Sequence, residues 1–235
     1  MTYPTRVIRI TSFATLLLLS ANVTFGQDPW KVAPHIFRLL FENDRVRVLQ
    51  EWLRAGEKEP MHSHPRAVVY AINSFEGKSL SESGEVTDLA GKAGQVQWYE
   101  PQKHAVENTG RVVMRTIIVE LKTPQNLPVR EGTGGPDALK VASHTHRLLL
   151  ENNLVRVLEF HLLPGQRTRT YYQRKGVSYV LSGGILKETL PNGKVARLVF
   201  RPRQARWFEA GSHSLENIGL AEVHLIVVEL KSPSE

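Results

Sequence analysis

The chain carries the same text twice, and any fold it adopts must be one that two like units can each complete. Residues 32–43 read against residues 141–152, sharing Arg38-Leu39-Leu40 with Arg147-Leu148-Leu149 and closing on Glu42-Asn43 and Glu151-Asn152. With the offset unchanged and no gap, Val46-Arg47-Val48-Leu49 meets Val155-Arg156-Val157-Leu158, and Trp98-Tyr99-Glu100 meets Trp207-Phe208-Glu209. Glu107-Asn108 then meets Glu216-Asn217, and Val119-Glu120-Leu121-Lys122 meets Val228-Glu229-Leu230-Lys231. About a third of the aligned positions are identical, which is the mark of a duplicated unit. The 235 residues therefore divide into two units of about a hundred each.

Residues 123–137 between the copies are rich in proline and glycine and read as a connector. The expected boundaries are 27–124 for the first unit, 125–140 for the linker and 141–235 for the second. Residues 1–26 form a different kind of segment. Arg6 and Arg9 precede an apolar run from Phe13 to Val23, and small residues follow near Thr24 and Gly26. That order reads as a secretory signal peptide, and the run is short of the about 20 residues a spanning helix needs. The expectation is a periplasmic or secreted protein with no stable membrane span after cleavage. An uncleaved anchor is the rival, and lipid attachment is excluded because the chain has no cysteine.

The same absence rules out disulfides, thiolate metal sites and a cysteine nucleophile. The formal charge of +7 is concentrated in the second unit, in the groups Arg167, Arg169, Arg174, Lys175 and Arg197, Arg201, Arg203, Arg206. A solvated basic face accounts for these, with an anionic small molecule or membrane surface as the alternative. No nucleic-acid-binding motif is present, and no nucleic-acid partner is expected.

Within each unit the signal is β. Arg45-Val46-Arg47-Val48 and Val177-Ser178-Tyr179-Val180-Leu181 are short runs rich in β-branched and aromatic residues. Pro191-Asn192-Gly193 is a hairpin signal, and Ser83-Gly84 stands at the equivalent place. Short strands in units of this size predict a sandwich or small barrel.

Against that background Pro60-Met61-His62-Ser63-His64 stands out. Side chains alternate along a strand, so His62 and His64 share a face. His104, from another strand, can close a pocket of three imidazoles, good ligands for divalent transition metals. The second copy aligns Tyr171 with His62, Gln173 with His64 and His213 with His104. With one imidazole left, it is a degenerate site or a separate pocket.

These residues resemble the motifs of the cupin superfamily. Gly56, His62, His64 and Gly77 fit its first motif; His104 with Asn108, and His213 with Asn217, fit the end of its second. The resemblance spans both units and implies an all-β fold of two tandem jelly-roll barrels, a bicupin. It also implies metal-dependent chemistry on a small organic molecule, dioxygenase- or isomerase-like, at His62, His64 and His104. Iron, manganese, zinc and nickel are not distinguished. The alternative is a non-catalytic bicupin that binds a small ligand, with an anionic guest suiting the second pocket, or serves a structural role. Family habit allows a homo-oligomer, although two fused barrels can pack as an internal dimer.

One departure matters. The family glutamate after the second histidine is replaced by Val68 and Val69, and Glu59 or Glu76 are the candidate substitutes. Tyr70 is a candidate pocket residue, although its equivalent Tyr179 favours packing. Trp98 and Trp207 are expected to pack, and Asn108 and Asn217 to satisfy backbone groups at strand ends. No serine-hydrolase elbow, phosphate loop, dinucleotide fingerprint or metalloprotease helix competes.

Overall fold

The computed structural model describes residues 28–122 and 134–231. The basic and apolar N-terminal segment read as a signal peptide lies outside the described residues, as does most of the connector. A short helix, α1 (Pro29–Val32), opens the first unit. Nine strands follow: β1 (Phe37–Glu42), β2 (Val46–Leu53), β3 (His62–His64), β4 (Ala67–Ala71), β5 (Phe75–Ser81), β6 (Val86–Gly91), β7 (Val96–Tyr99), β8 (Gln102–Asn108) and β9 (Met114–Leu121). The second unit repeats this with α2 (Ala138–Val141), β10 (His146–Glu151), β11 (Val155–Leu162), β12 (Tyr171–Gln173), β13 (Gly176–Ser182), β14 (Ile185–Thr189), β15 (Val195–Val199), β16 (Ala205–Phe208), β17 (Gly211–Asn217) and β18 (Val223–Leu230).

Each unit is two antiparallel sheets. In the first, β1-β2-β9-β4-β7 faces β3-β8-β5-β6, and in the second β10-β11-β18-β13-β16 faces β12-β17-β14-β15. The strand orders are the same once the copies are aligned, so the duplication in sequence is a duplication of topology. The chain passes repeatedly from one sheet to the other, as in a jelly roll.

The turns follow local chemistry. Gly84 and Gly193, in the β5–β6 and β14–β15 hairpins, have φ of 86° and 83°. That left-handed region is one a side chain with Cβ enters only at a cost. Asn108 closes the end of β8. Its amide donates to the carbonyls of Leu53 and Val112, both at 2.8 Å, and its Oδ1 accepts from Gly110 N. Asn217 does the same with Leu162, Ala221 and Gly219. The motif asparagines thus tie strand ends together.

Strand β9 is packed on both of its faces. Met114 and Ile118 point into the first barrel's own core. Ile117, Val119 and Leu121 point the other way, into a core shared with Val155, Val157, Val177, Tyr179 and Val228 of the second barrel. Each large aliphatic side chain buried in this way contributes about 1.5–3 kcal/mol. The two barrels therefore pack through their five-stranded sheets as a dimer within one chain. Tyr70 belongs to this shared core and not to the pocket, because its position on β4 turns it outward from the barrel. Trp98 and Trp207 pack at its edge, with their indole N–H groups on Glu100 and Glu209.

Candidate metal centre

Strand β3 is only three residues long and holds His62 and His64 inward, with Ser63 between them on the other face. It pairs with β8 so that His104 stands directly across from His62. Alternation supplies two of the imidazoles and register the third. The ring centroids lie 4.7 Å (His62–His64), 4.8 Å (His62–His104) and 5.5 Å (His64–His104) apart. One ligand atom from each falls within 4.8 Å of the others.

Hydrogen bonding fixes which nitrogens face inward. His62 Nδ1 lies 2.9 Å from the Pro60 carbonyl, which can only accept, so His62 donates from Nδ1. His64 Nδ1 lies 2.7 Å from Glu120 Oε1. The other oxygen of Glu120 is held by Arg47 at 3.2 Å, so this carboxylate accepts from His64 as well. Both rings then present an Nε2 lone pair, and these two atoms are 2.9 Å apart. His104 Nε2 is buried with no hydrogen-bond partner, while its Nδ1 reaches Ser79 Oγ at 3.3 Å.

Burial, reinforced by the neighbouring His64, lowers the pKa of His62 to about 3. The same causes bring His104 to about 4. Both are neutral near physiological pH, the form that ligates metal. Two lone pairs facing each other at hydrogen-bond distance repel unless a proton or a cation lies between them. The arrangement fits a metal ion.

Three carboxyl groups surround the imidazoles. Glu120 orients His64, the outer-sphere role that fixes the tautomer of a ligating histidine. Glu59 is buried, with Oε1 3.8 Å from His62 Nε2 and Oε2 without a partner. Glu51 Oε2 accepts from Thr116 Oγ1 at 2.6 Å. Burial raises the pKa of Glu51. Burial, then the charge of Glu51, raises that of Glu59 well above the usual carboxylate range. Of the two substitutes considered for the family glutamate, only Glu59 is near the imidazoles. Glu76 alternates to the exposed face of β5. Val68 packs between the barrels, and Val69 lines the cavity.

The cavity measures about 350 Å³ and is walled by Phe37, Phe75, Tyr99, Gln97, Gln102 and Thr116 together with His64, His104, Glu51 and Glu59. The equivalent space in the second barrel is about 90 Å³. Phe160 replaces Glu51, and Tyr171 replaces His62 across from His213, with ring centroids 4.9 Å apart. Gln173 lines this smaller space, and His213 Nδ1 is bound to Glu188 at 2.6 Å. His146 also lines this space, with its ring centroid 4.7 Å from that of Tyr171, but among the described residues His146 and His213 belong to no group of three ligand atoms close enough to hold a metal.

Glu120 and Glu51 are the site residues that sequence reasoning missed. Glu120 is an acid at the end of the apolar run Ile117-Ile118-Val119, a signal in itself. It recurs as Glu229, which pairs with Arg156 at 2.8 Å in a barrel with no triad, so it reads as part of the shared fold.

No protein-family model and no curated protein matches the sequence. Solved structures do match. A variant of Bacillus subtilis oxalate decarboxylase aligns with a TM-score of 0.60 at 12% identity, over 83% of this chain and 72% of that one. A structure used to assign the Mn(II) centres of the same enzyme aligns at 0.58 and 12%, over 82% and 71%. Lactobacillus farciminis oxalate decarboxylase in its formate complex aligns at 0.54 and 13%, over 82% and 78%. At such identities the likeness is one of fold, that of two tandem cupin barrels.

Proposed function

We propose that the first barrel is the active site of an exported, metal-dependent enzyme that moves protons on a small organic molecule, in isomerase-like chemistry. The observation that carries the metal is the meeting of His62 Nε2 and His64 Nε2 at 2.9 Å, with both Nδ1 atoms already committed. His62, His64 and His104 would hold the ion, with Glu59 within reach as a fourth donor. A divalent ion there, whether iron, manganese, zinc or nickel, would supply Lewis-acid polarisation of a substrate oxygen. Manganese is the metal of one structural neighbour.

The residues around the triad do the rest. Glu51, favoured in its neutral form by burial, can hold a proton at the cavity wall and pass it to a substrate atom. Thr116 fixes Glu51 through its hydroxyl. Phe37, Phe75 and Tyr99 give the cavity its aromatic wall.

No lysine or arginine is among the described residues that line it. A small dianion such as oxalate would therefore meet carboxyl groups and no cationic side chain, whereas a neutral hydroxyl- or carbonyl-bearing molecule would be unopposed. Export rests on the basic, apolar, then small-residue order of residues 1–26. Among the described residues no helix is long and apolar enough to cross a membrane.

The test is elemental analysis of the purified protein after exhaustive dialysis, beside a His62→Ala/His64→Ala variant. The parent is expected to hold about one metal per chain more than the variant. Its identity chooses the chemistry: zinc, nickel or manganese supports proton transfer, and iron shifts the reading to dioxygenase-like oxidation. Equal metal content in the two proteins, even after reconstitution, overturns the enzyme and leaves a small-ligand-binding barrel.

A further inference from the structure

The outer face of the second barrel carries a second group of ligating side chains. His161 on β11 and His224 on β18 stand directly opposite each other in register, with ring centroids 5.0 Å apart. Each meets a carboxylate. His161 Nε2 is 2.8 Å from Glu222 Oε2, and His224 Nε2 is 3.0 Å from Glu159 Oε1. Ligand atoms of His161, Glu222 and His224 all lie within 4.8 Å of one another. The remaining oxygen of Glu159 is held by Arg147 at 2.7 Å, which leaves Oε1 turned toward the group.

The first barrel shows that the fold does not require these residues. Trp52 aligns with His161, Arg115 with His224, Gln50 with Glu159 and Val113 with Glu222. Trp52 and Arg115 are the same cross-strand pair, and there the guanidinium lies over the indole at 5.3 Å. The second copy thus has four potential ligands where the first has a cation–π stack. Two neutral imidazoles and two carboxylates balance the charge of a divalent ion, and this nitrogen–oxygen set suits four-coordinate zinc. Paired strands supply a rigid frame on which such ligands can be spaced.

We infer that His161, His224 and Glu222, with Glu159 as the fourth donor, form a surface binding site for a zinc-class divalent ion that clamps β11 to β18. The site is independent of the centre in the first barrel. Its histidines are partly exposed, so an ion can reach them from solvent without opening the barrel.

Zinc titration by isothermal calorimetry tests it, using metal-stripped protein carrying His62→Ala/His64→Ala so that the inner centre does not contribute. The expected result is one zinc equivalent per chain at micromolar protein. That equivalent should be lost when His161→Ala/His224→Ala is added, and its affinity should fall by about tenfold or more with Glu222→Gln. Should the background variant misfold, His161→Ala/His224→Ala in the otherwise unchanged chain must lower the zinc stoichiometry by one. No uptake by the folded His62/His64 variant, or uptake that survives loss of His161 and His224, overturns the site.

Discussion

Glu120 Oε1 lies 2.7 Å from His64 Nδ1, and Glu229, its counterpart in the second barrel, bonds Arg156 instead. Both glutamates belong to networks that tie the start of their barrel to its last strand. Arg47 joins Glu120 to Asp28, and Arg156 joins Glu229 to Asp137. Only in the first barrel does the free oxygen find an imidazole. One residue therefore serves the fold in both copies and the candidate metal centre in one.

This asymmetry makes Glu229 the control for Glu120. Glu120→Gln removes the negative charge behind His64 and should weaken metal binding in the first barrel by about 10–100-fold, the usual effect of losing such an orienting carboxylate. Glu229→Gln perturbs the matching Arg156 network and should leave that affinity unchanged. Competition with a chelator measures both. Equal losses in the two variants would mean that the effect is general destabilisation.

Much of the fold was legible because duplication let the chain interpret itself. The histidines were legible too, since a strand places His62 and His64 on one face whatever surrounds it. The carboxyl groups were not. Whether Glu51, Glu59 or Glu76 points inward depends on where each strand enters the barrel and on the irregular stretch before β3. Glu120 was hidden for another reason. Its repetition as Glu229 assigned it to the fold, a correct assignment that concealed its second partner. Tyr70 was legible through the duplication: adjacency to the histidines suggested the pocket, its equivalent Tyr179 favoured packing, and its strand face is covered by the second barrel.

The second barrel should carry one source of acid sensitivity that the first lacks. Burial lowers the pKa of His146 from 6.5 to about 4. Between those values the unfolded chain binds a proton that the folded chain does not, so stability falls as pH is lowered from 6.5 toward 4. The loss is up to about 3 kcal/mol for this residue. The first copy has Phe37 at the aligned position, so His146→Phe is a near-isosteric test. Urea unfolding at pH 7 and pH 4.5 should show a smaller difference in the variant than in the parent. An unchanged difference would assign the acid sensitivity elsewhere.

The motif asparagines should cost stability without touching metal. Asn108→Ala strips donors from the carbonyls of Leu53 and Val112 in a buried setting. Each stranded carbonyl costs about 1–3 kcal/mol, so a loss of roughly 2–6 kcal/mol is expected. Asn217→Ala should lose a similar amount through Leu162 and Ala221. Denaturant unfolding reads both, and a loss within experimental error at either site would remove the bridging role.

The width of the first cavity should be adjustable from a residue that never touches the imidazoles. Phe75 lines the cavity and pairs across the strands with Gly91. A Cβ on Gly91 would lie 2.4 Å from Phe75 Cε1, closer than real contacts allow. Gly91→Ala must therefore push the ring from its place, at a cost of about 1–3 kcal/mol for overpacking. The second barrel carries the two residue types in reverse, with Gly184 aligned with Phe75 and Phe200 aligned with Gly91, but there a Cβ on Gly184 would meet Val223 and not a phenylalanine ring. If the clash is the cause, Phe75→Leu should relieve it. The double variant should then be more stable than the sum of the two single losses by about 1 kcal/mol or more. Metal content should stay at the parent value throughout, because β3 and β8 carry the imidazoles and Gly91 lies on β6. Strict additivity in the unfolding midpoints, or metal loss in Gly91→Ala, would show that Phe75 and Gly91 do not form the adjustable wall.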